Sequence, residues 1–137
     1  MEIDEELEKI KKQMLKKILN GSDTSSGVLK GGEVVNLNLK NFNDALTEAE
    51  RPLMVDFWAE WCSPCRIMEP IFRALASSYL DNAFFAKVNI DENVYLAQKY
   101  GVNSIPHFLL FKSGIPVDRV IGAVGKSILE STLRKHL

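Results

Sequence analysis

Two cysteines stand three positions apart in the run Trp61-Cys62-Ser63-Pro64-Cys65, and the chain has no others. Thiols one helical turn apart suit a reversible dithiol–disulfide couple. The run directly follows the apolar stretch Leu53-Met54-Val55-Asp56-Phe57-Trp58, which puts the pair just past a predicted strand end. At the start of a helix a sulfur meets unpaired backbone N–H groups and the positive end of the dipole, and both favour the nucleophilic thiolate. Cys62 is therefore the expected attacking thiol. Cys65, one turn deeper, is placed to resolve a mixed disulfide by attacking Cys62. Pro64 fits a first helical turn, where a missing N–H loses no intrahelical bond. A structural staple is a weak alternative, because so short a loop constrains the unfolded chain little. Half of a zinc site is another. It needs two further ligands, and only His107 and His136 could add nitrogen, without metal-ligand spacing.

The elements that must hold this pair can be read from the pattern of apolar residues. Val34 to Leu37 is a short strand and Lys40 to Ala49 a short helix. Pro52 to Trp58 is near-continuously apolar, as expected of a strand covered on both faces. Ser63 to Leu80 is a long helix containing Pro70, which should kink it. Ala83 to Ile90 is a strand, and Val94 to Tyr100 a helix stopped by Gly101. Pro106 to Phe111 and Val117 to Ile121 are strands joined through the turn Lys112-Ser113-Gly114, and a last helix starts at Lys126. The order βαβαβαββα predicts an α/β fold with a mixed central sheet and helices on both faces. Ahead of it, Ile3, Leu7, Ile10, Met14 and Ile18 form one apolar stripe of an amphipathic helix over residues 3–19. A Gly- and Ser-rich linker follows, which divides the chain into residues 1–33 and a domain at 34–137.

Several runs of the sequence together resemble thioredoxins. They are Val55-Asp56-Phe57-Trp58-Ala59-Glu60-Trp61-Cys62-Ser63-Pro64-Cys65, Ala86-Lys87-Val88-Asn89-Ile90-Asp91, Tyr100-Gly101-Val102, Ser104-Ile105-Pro106, Phe111-Lys112-Ser113-Gly114 and Ile121-Gly122-Ala123. A bare Cys-x-x-Cys is a weak signal, whereas this series in one order is a strong one. Glutaredoxins usually carry Cys-Pro-Tyr-Cys instead. The resemblance implies a thioredoxin fold and reduction of protein disulfides. It implies that Asp56 is a buried carboxyl able to accept the Cys65 proton, and burial in an apolar strand would raise its pKa. The alternative is an edge-strand Asp facing water. Lys87 matches the family's lysine beside that aspartate, or is a solvated strand-end lysine. Pro106 matches the family's cis-proline, which would set the Ile105 backbone opposite Cys62 to pair with a substrate strand. Trp61, Ile105, Pro106, Gly122 and Ala123 would then form an apolar substrate patch, with Gly122 leaving room for approach. Trp58 lies under the active-site loop or in plain core. Two positions depart from the family pattern. Ser63 replaces a glycine between the cysteines, and His107 replaces a threonine after the proline. Both are candidates for tuning the redox potential, His107 by titrating near neutral pH.

The remaining features bound the function. Net charge is −1, which gives no electrostatic reason to expect nucleic acid or an anionic membrane as partner. The acidic start, without a basic n-region or apolar h-region, reads as cytoplasmic. No Gly-x-Gly-x-x-Gly or Gly-x-x-x-x-Gly-Lys-Ser/Thr segment occurs, so no cofactor is expected. Electrons would come from a thioredoxin reductase-type partner and pass to disulfide-containing client proteins. The alternatives are a disulfide isomerase or oxidase, or an adaptor that recruits a partner through the N-terminal helix. That helix is either solvated or domain-packed, or it mediates a weak dimer. Fewer than three heptads is short for a stable coiled coil.

Overall fold

The apolar run at the centre of the chain becomes the centre of the sheet. In a computed structural model, residues 27–137 are described, so the amphipathic helix expected at 3–19 lies outside the described residues. Chain order is β1 (Val34–Asn36), α1 (Phe42–Glu48), β2 (Leu53–Trp58), α2 (Ser63–Ser78), β3 (Phe84–Asn89), α3 (Val94–Lys99), β4 (His107–Lys112), β5 (Ile115–Ile121) and α4 (Lys126–Arg134). The sheet runs β1-β3-β2-β4-β5. Strands β1, β3 and β2 are parallel, while β4 is antiparallel to β2 and β5 antiparallel to β4. The mixed central sheet flanked by helices expected from the sequence is thus present.

Alternation along β2 and β4 sends their side chains to two cores. On one face Leu53, Val55, Phe57, Leu109 and Phe111 pack against Phe42 and Ala45 of α1 and Leu96 of α3. On the other, Met54, Phe108 and Leu110 pack against Met68, Phe72 and Leu75 of α2 and Leu129 and Leu133 of α4. Asp56 shares the Met54 face, so it lies under α2. Its position there follows from the period of two, given that β2 is buried on both sides.

Element ends differ from expectation for local reasons. Strand β4 begins at His107 rather than Pro106, since proline has no N–H to give the ladder. Strand β5 begins at Ile115 rather than Val117. Ser113 (φ 54°) and Gly114 (φ 79°) form a two-residue reversal with both residues left-handed, so Lys112 pairs Ile115 at once. A register shift at Leu110/Phe111 then restores the alignment of the hairpin. Ahead of β1, Leu29 is buried in the first core, and the Glu48 carboxylate accepts the Val28 and Leu29 N–H groups at 3.0 and 2.7 Å. Packed structure therefore starts upstream of Glu33.

Candidate active site

Cys62 caps α2, with Pro64 in the first turn, and the Cys65 N–H donates to the Cys62 sulfur at 3.2 Å. One of the helix's unsatisfied donors is thus spent on the sulfur itself, a contact that strengthens if the sulfur is a thiolate. The two cysteines are joined as a disulfide, with their Cα atoms 5.3 Å apart. Both are buried, and with Ala59 they form a small cluster against which Trp58, Ile90 and Ile105 pack. Trp58 thus sits under the active-site loop. Ser63 is exposed at the start of α2.

Beneath Cys65 lies a cavity of about 210 Å³ lined by Asp56, Trp58, Glu60, Cys65, Arg66, Glu69 and Lys87. Asp56 is 3% exposed, and its Oδ1 has no hydrogen-bond partner. Burial raises its pKa to about 7, Lys87 opposes that rise, and Glu69 adds to it. Lys87 is opposite Asp56 in the parallel register of β2 and β3. Its ammonium lies 4.7 Å from the centre of the Trp58 ring and 3.5 Å from a Glu69 carboxylate oxygen. A protonatable carboxyl, a cation and the inner cysteine therefore line one cavity. Such an arrangement can take up and release a proton near neutral pH.

Around the disulfide, Trp61 is 66% exposed, and its indole N–H donates to Asp91 at 2.9 Å. Ile105 is half-buried against the cysteine cluster, and the Ile105–Pro106 bond is cis. Pro106 itself is buried, and its carbonyl accepts the Gly122 N–H at 2.8 Å. Gly122 has φ +102°, a backbone shape that suits glycine, and open space stands where a Cβ would be. Ala123 is exposed beside it. Four of the five expected patch residues are thus at least partly open to solvent, and Pro106 supports them from below.

His107 stands apart from this cavity. It faces the opposite core, its ring edge-on to Phe57 at 6.2 Å, with Nε2 3.1 Å from Arg119 Nη1. Burial, with Arg119 adding to it, lowers its pKa, so the ring is neutral at pH 7. His136 bonds Asp118 at 3.0 Å, so neither imidazole joins the cysteines. Among the described residues no cluster of three or more His, Cys, Asp or Glu could hold a metal ion.

Sequence reasoning missed Asp91 and Glu69. Asp91 reaches Trp61 across 30 positions, a contact for which no local signal exists. Glu69 did leave a signal, since it lies one turn beyond Cys65 and so on nearly the same helix face.

A parallel–antiparallel sheet with a Cys-x-x-Cys disulfide at a helix start, over a buried carboxyl, defines the class of thiol–disulfide oxidoreductases. The thioredoxin family profile matches residues 33–135. A thioredoxin of Porphyra purpurea is 46% identical over 97 residues, covering 71% of this chain and 91% of the relative. Thioredoxin 1 of Synechococcus elongatus is 47% identical over 96 residues, covering 70% and 90%. A solved mutant thioredoxin from Halobacterium salinarum superposes with a TM-score of 0.72 at 30% identity, covering 78% of this chain and 93% of that one. The chain belongs to the thioredoxin family. It is a protein-disulfide reductase, acting on disulfide-containing substrates and drawing electrons from a reductase partner.

Proposed function

We propose that the reaction runs through Cys62 as attacking thiol and Cys65 as resolving thiol, with Asp56 as the proton acceptor. The Cys62 thiolate attacks a substrate disulfide, forming a Cys62–substrate bond and releasing one substrate thiolate. Cys65 gives its proton to Asp56, and its thiolate attacks the Cys62 sulfur. The mixed disulfide breaks, Cys62–Cys65 forms, and the second substrate thiolate leaves. The substrate thiolates take up protons from Asp56 and water. Two electrons have passed to the substrate, and an external dithiol reductase returns them. The observation that carries this reading is the buried Asp56 carboxyl, its Oδ1 without a hydrogen-bond partner, in a cavity shared with Cys65. Lys87 tempers the charge of Asp56 after it loses its proton. Trp61, Ile105, Gly122 and Ala123, supported by Pro106, receive the substrate around the sulfur, where the free edge of the Ile105 backbone offers strand-like pairing.

Ser63 and Pro64 shape the first turn of α2 and set the potential. A titration against dithiothreitol is expected to place it near the roughly −270 mV of thioredoxins, and not near the about −180 mV of disulfide isomerase. The test of residue roles is trapping. Cys65→Ser is expected to accumulate a covalent adduct with insulin through Cys62, visible by mass spectrometry, and Cys62→Ser to accumulate none. An adduct formed by Cys62→Ser in place of Cys65→Ser would reverse the two assignments. No helix among the described residues is long and apolar enough to cross a membrane, and we place the activity in the reducing cytoplasm, where a catalytic cysteine pair is kept reduced.

A further inference from the structure

Lys87 has two candidate anions in the same cavity, and its ion pair is with the outer one. Its ammonium reaches Glu69 at 3.5 Å and rests over the Trp58 ring at 4.7 Å. Asp56 keeps an oxygen without any partner. Glu69 is fixed in its turn by Arg73, one helical turn on, at 2.9 Å. That hydrogen bond from Arg73 heads the causes that hold Glu69 below its ordinary pKa, so it remains an anion throughout the neutral range. We propose that Glu69 is a positioning residue for the resolving step: it draws the Lys87 ammonium toward the mouth of the cavity and so leaves the Asp56 carboxylate a stronger base for the Cys65 proton.

Burial is the largest cause of the raised Asp56 pKa, and among the charged groups facing it Lys87 and Glu69 are the ones that act on it. From α2 and the loop before it come Cys65, Arg66 and Glu60, with the Arg66 guanidinium donating to the Glu60 backbone carbonyl. From β3 comes Lys87, and on β4 the residue opposite Asp56 is the apolar Phe108. His107 points to the other core. Lys87 is therefore the cation whose placement decides how readily Asp56 ionises, and Glu69 both holds that cation and adds a like charge of its own. Both effects act in one direction, toward a carboxyl that keeps its proton until the pH is near neutral. An enzyme without the Glu69 anion would carry its Asp56 ionised at lower pH.

This inference rests on the reading of Asp56 as proton acceptor, and two measurements keep the two apart. The first is a carbon-13 NMR titration of the Asp56 carboxyl in the oxidised full-length protein. Glu69→Gln is expected to lower its midpoint by about half a pH unit, roughly a threefold change in the ionised-to-protonated ratio at fixed pH. In a Lys87→Gln background the same substitution is expected to lower it by less than half as much. An unchanged midpoint overturns the inference, and an equal drop in both backgrounds overturns the routing through Lys87. The second measurement is the rate of mixed-disulfide resolution from pH 5 to 9. Its midpoint is expected to follow the NMR midpoint in Glu69→Gln and to vanish in Asp56→Asn. If Asp56→Asn leaves rate and profile intact, Asp56 is not the acceptor, whatever Glu69 does to its titration.

Discussion

Burial of Asp56 ties the stability of the chain to pH. Its carboxyl has a pKa of about 7 when folded against 3.8 for the free side chain, because burial penalises the anion. Between these values the folded chain holds a proton that the unfolded chain has lost. Stability is therefore fully present at acid pH and declines as pH rises through about 7, by an amount on the order of 4 kcal/mol. Asp56→Asn is expected to stabilise the oxidised protein strongly at pH 8 and little at pH 4, as urea unfolding at the two pH values would show. Sequence located this residue, since a carboxylate in an apolar strand stands out. The spacing of Glu69 from Cys65 put it on nearly the same helix face, but its effect on Asp56 depends on where Lys87 comes to rest. His107 behaves with the opposite sign. Burial, aided by Arg119, lowers its pKa, so its contribution is present above about 6.5, the ordinary value, and is lost as pH falls through the folded pKa. We propose that it packs rather than titrates during turnover: His107→Thr should reduce acid sensitivity while leaving the reduction potential where it was. A shifted potential would restore a redox role for His107.

At the scale of elements, periodicity revealed existence and type, and end effects decided the bounds. The near-continuous apolar run from Leu53 to Trp58 pointed to a strand covered on both faces, with an edge strand as the alternative, and the sheet places it centrally. Helix α2 begins where Cys62 and Pro64 say it should. The start of β5 was not legible, because Ser113 is a non-glycine residue at φ 54° and gave no sign that the turn closes in two residues. In the segment before β1 the glycines suggest a linker as far as Glu33, and the pattern carries no sign of the contacts made there. Leu29 enters the core, and the Glu48 carboxylate accepts the backbone N–H groups of Val28 and of Leu29 itself. Glu48→Ala would leave those two N–H groups without their acceptor. It is expected to cost about 1–3 kcal/mol in urea unfolding, and Glu48→Gln less, since one acceptor oxygen survives.

For the whole molecule, the two cores separate labour. The face with α2 and α4 carries the cavity and its charges, and the face with α1 and α3 supports the sheet from behind. Residues 3–19 lie outside the described residues, and their sequence alone spaces Ile3, Leu7, Ile10, Met14 and Ile18 as one apolar stripe. We propose that the protein is a monomer with at most weak self-association through that stripe. Light scattering of the full chain and of residues 27–137 tests this: any concentration-dependent mass should disappear with the first 26 residues, and association that persists would place the contact on the domain itself. What the sequence determined alone were the properties carried by local pattern. These are the redox pair, the strand that precedes it, the helix that presents it, and the alternation that makes a mixed sheet. Each depends on residues close in the chain, whose conformational preferences and spacing act without knowledge of the fold. The tertiary structure alone decided which charges meet Asp56, that His107 turns away from the disulfide, that Asp91 holds Trp61, and that Leu29 belongs to the core. Those outcomes depend on distances between residues far apart in sequence. Such distances are fixed only when strands register and both cores close.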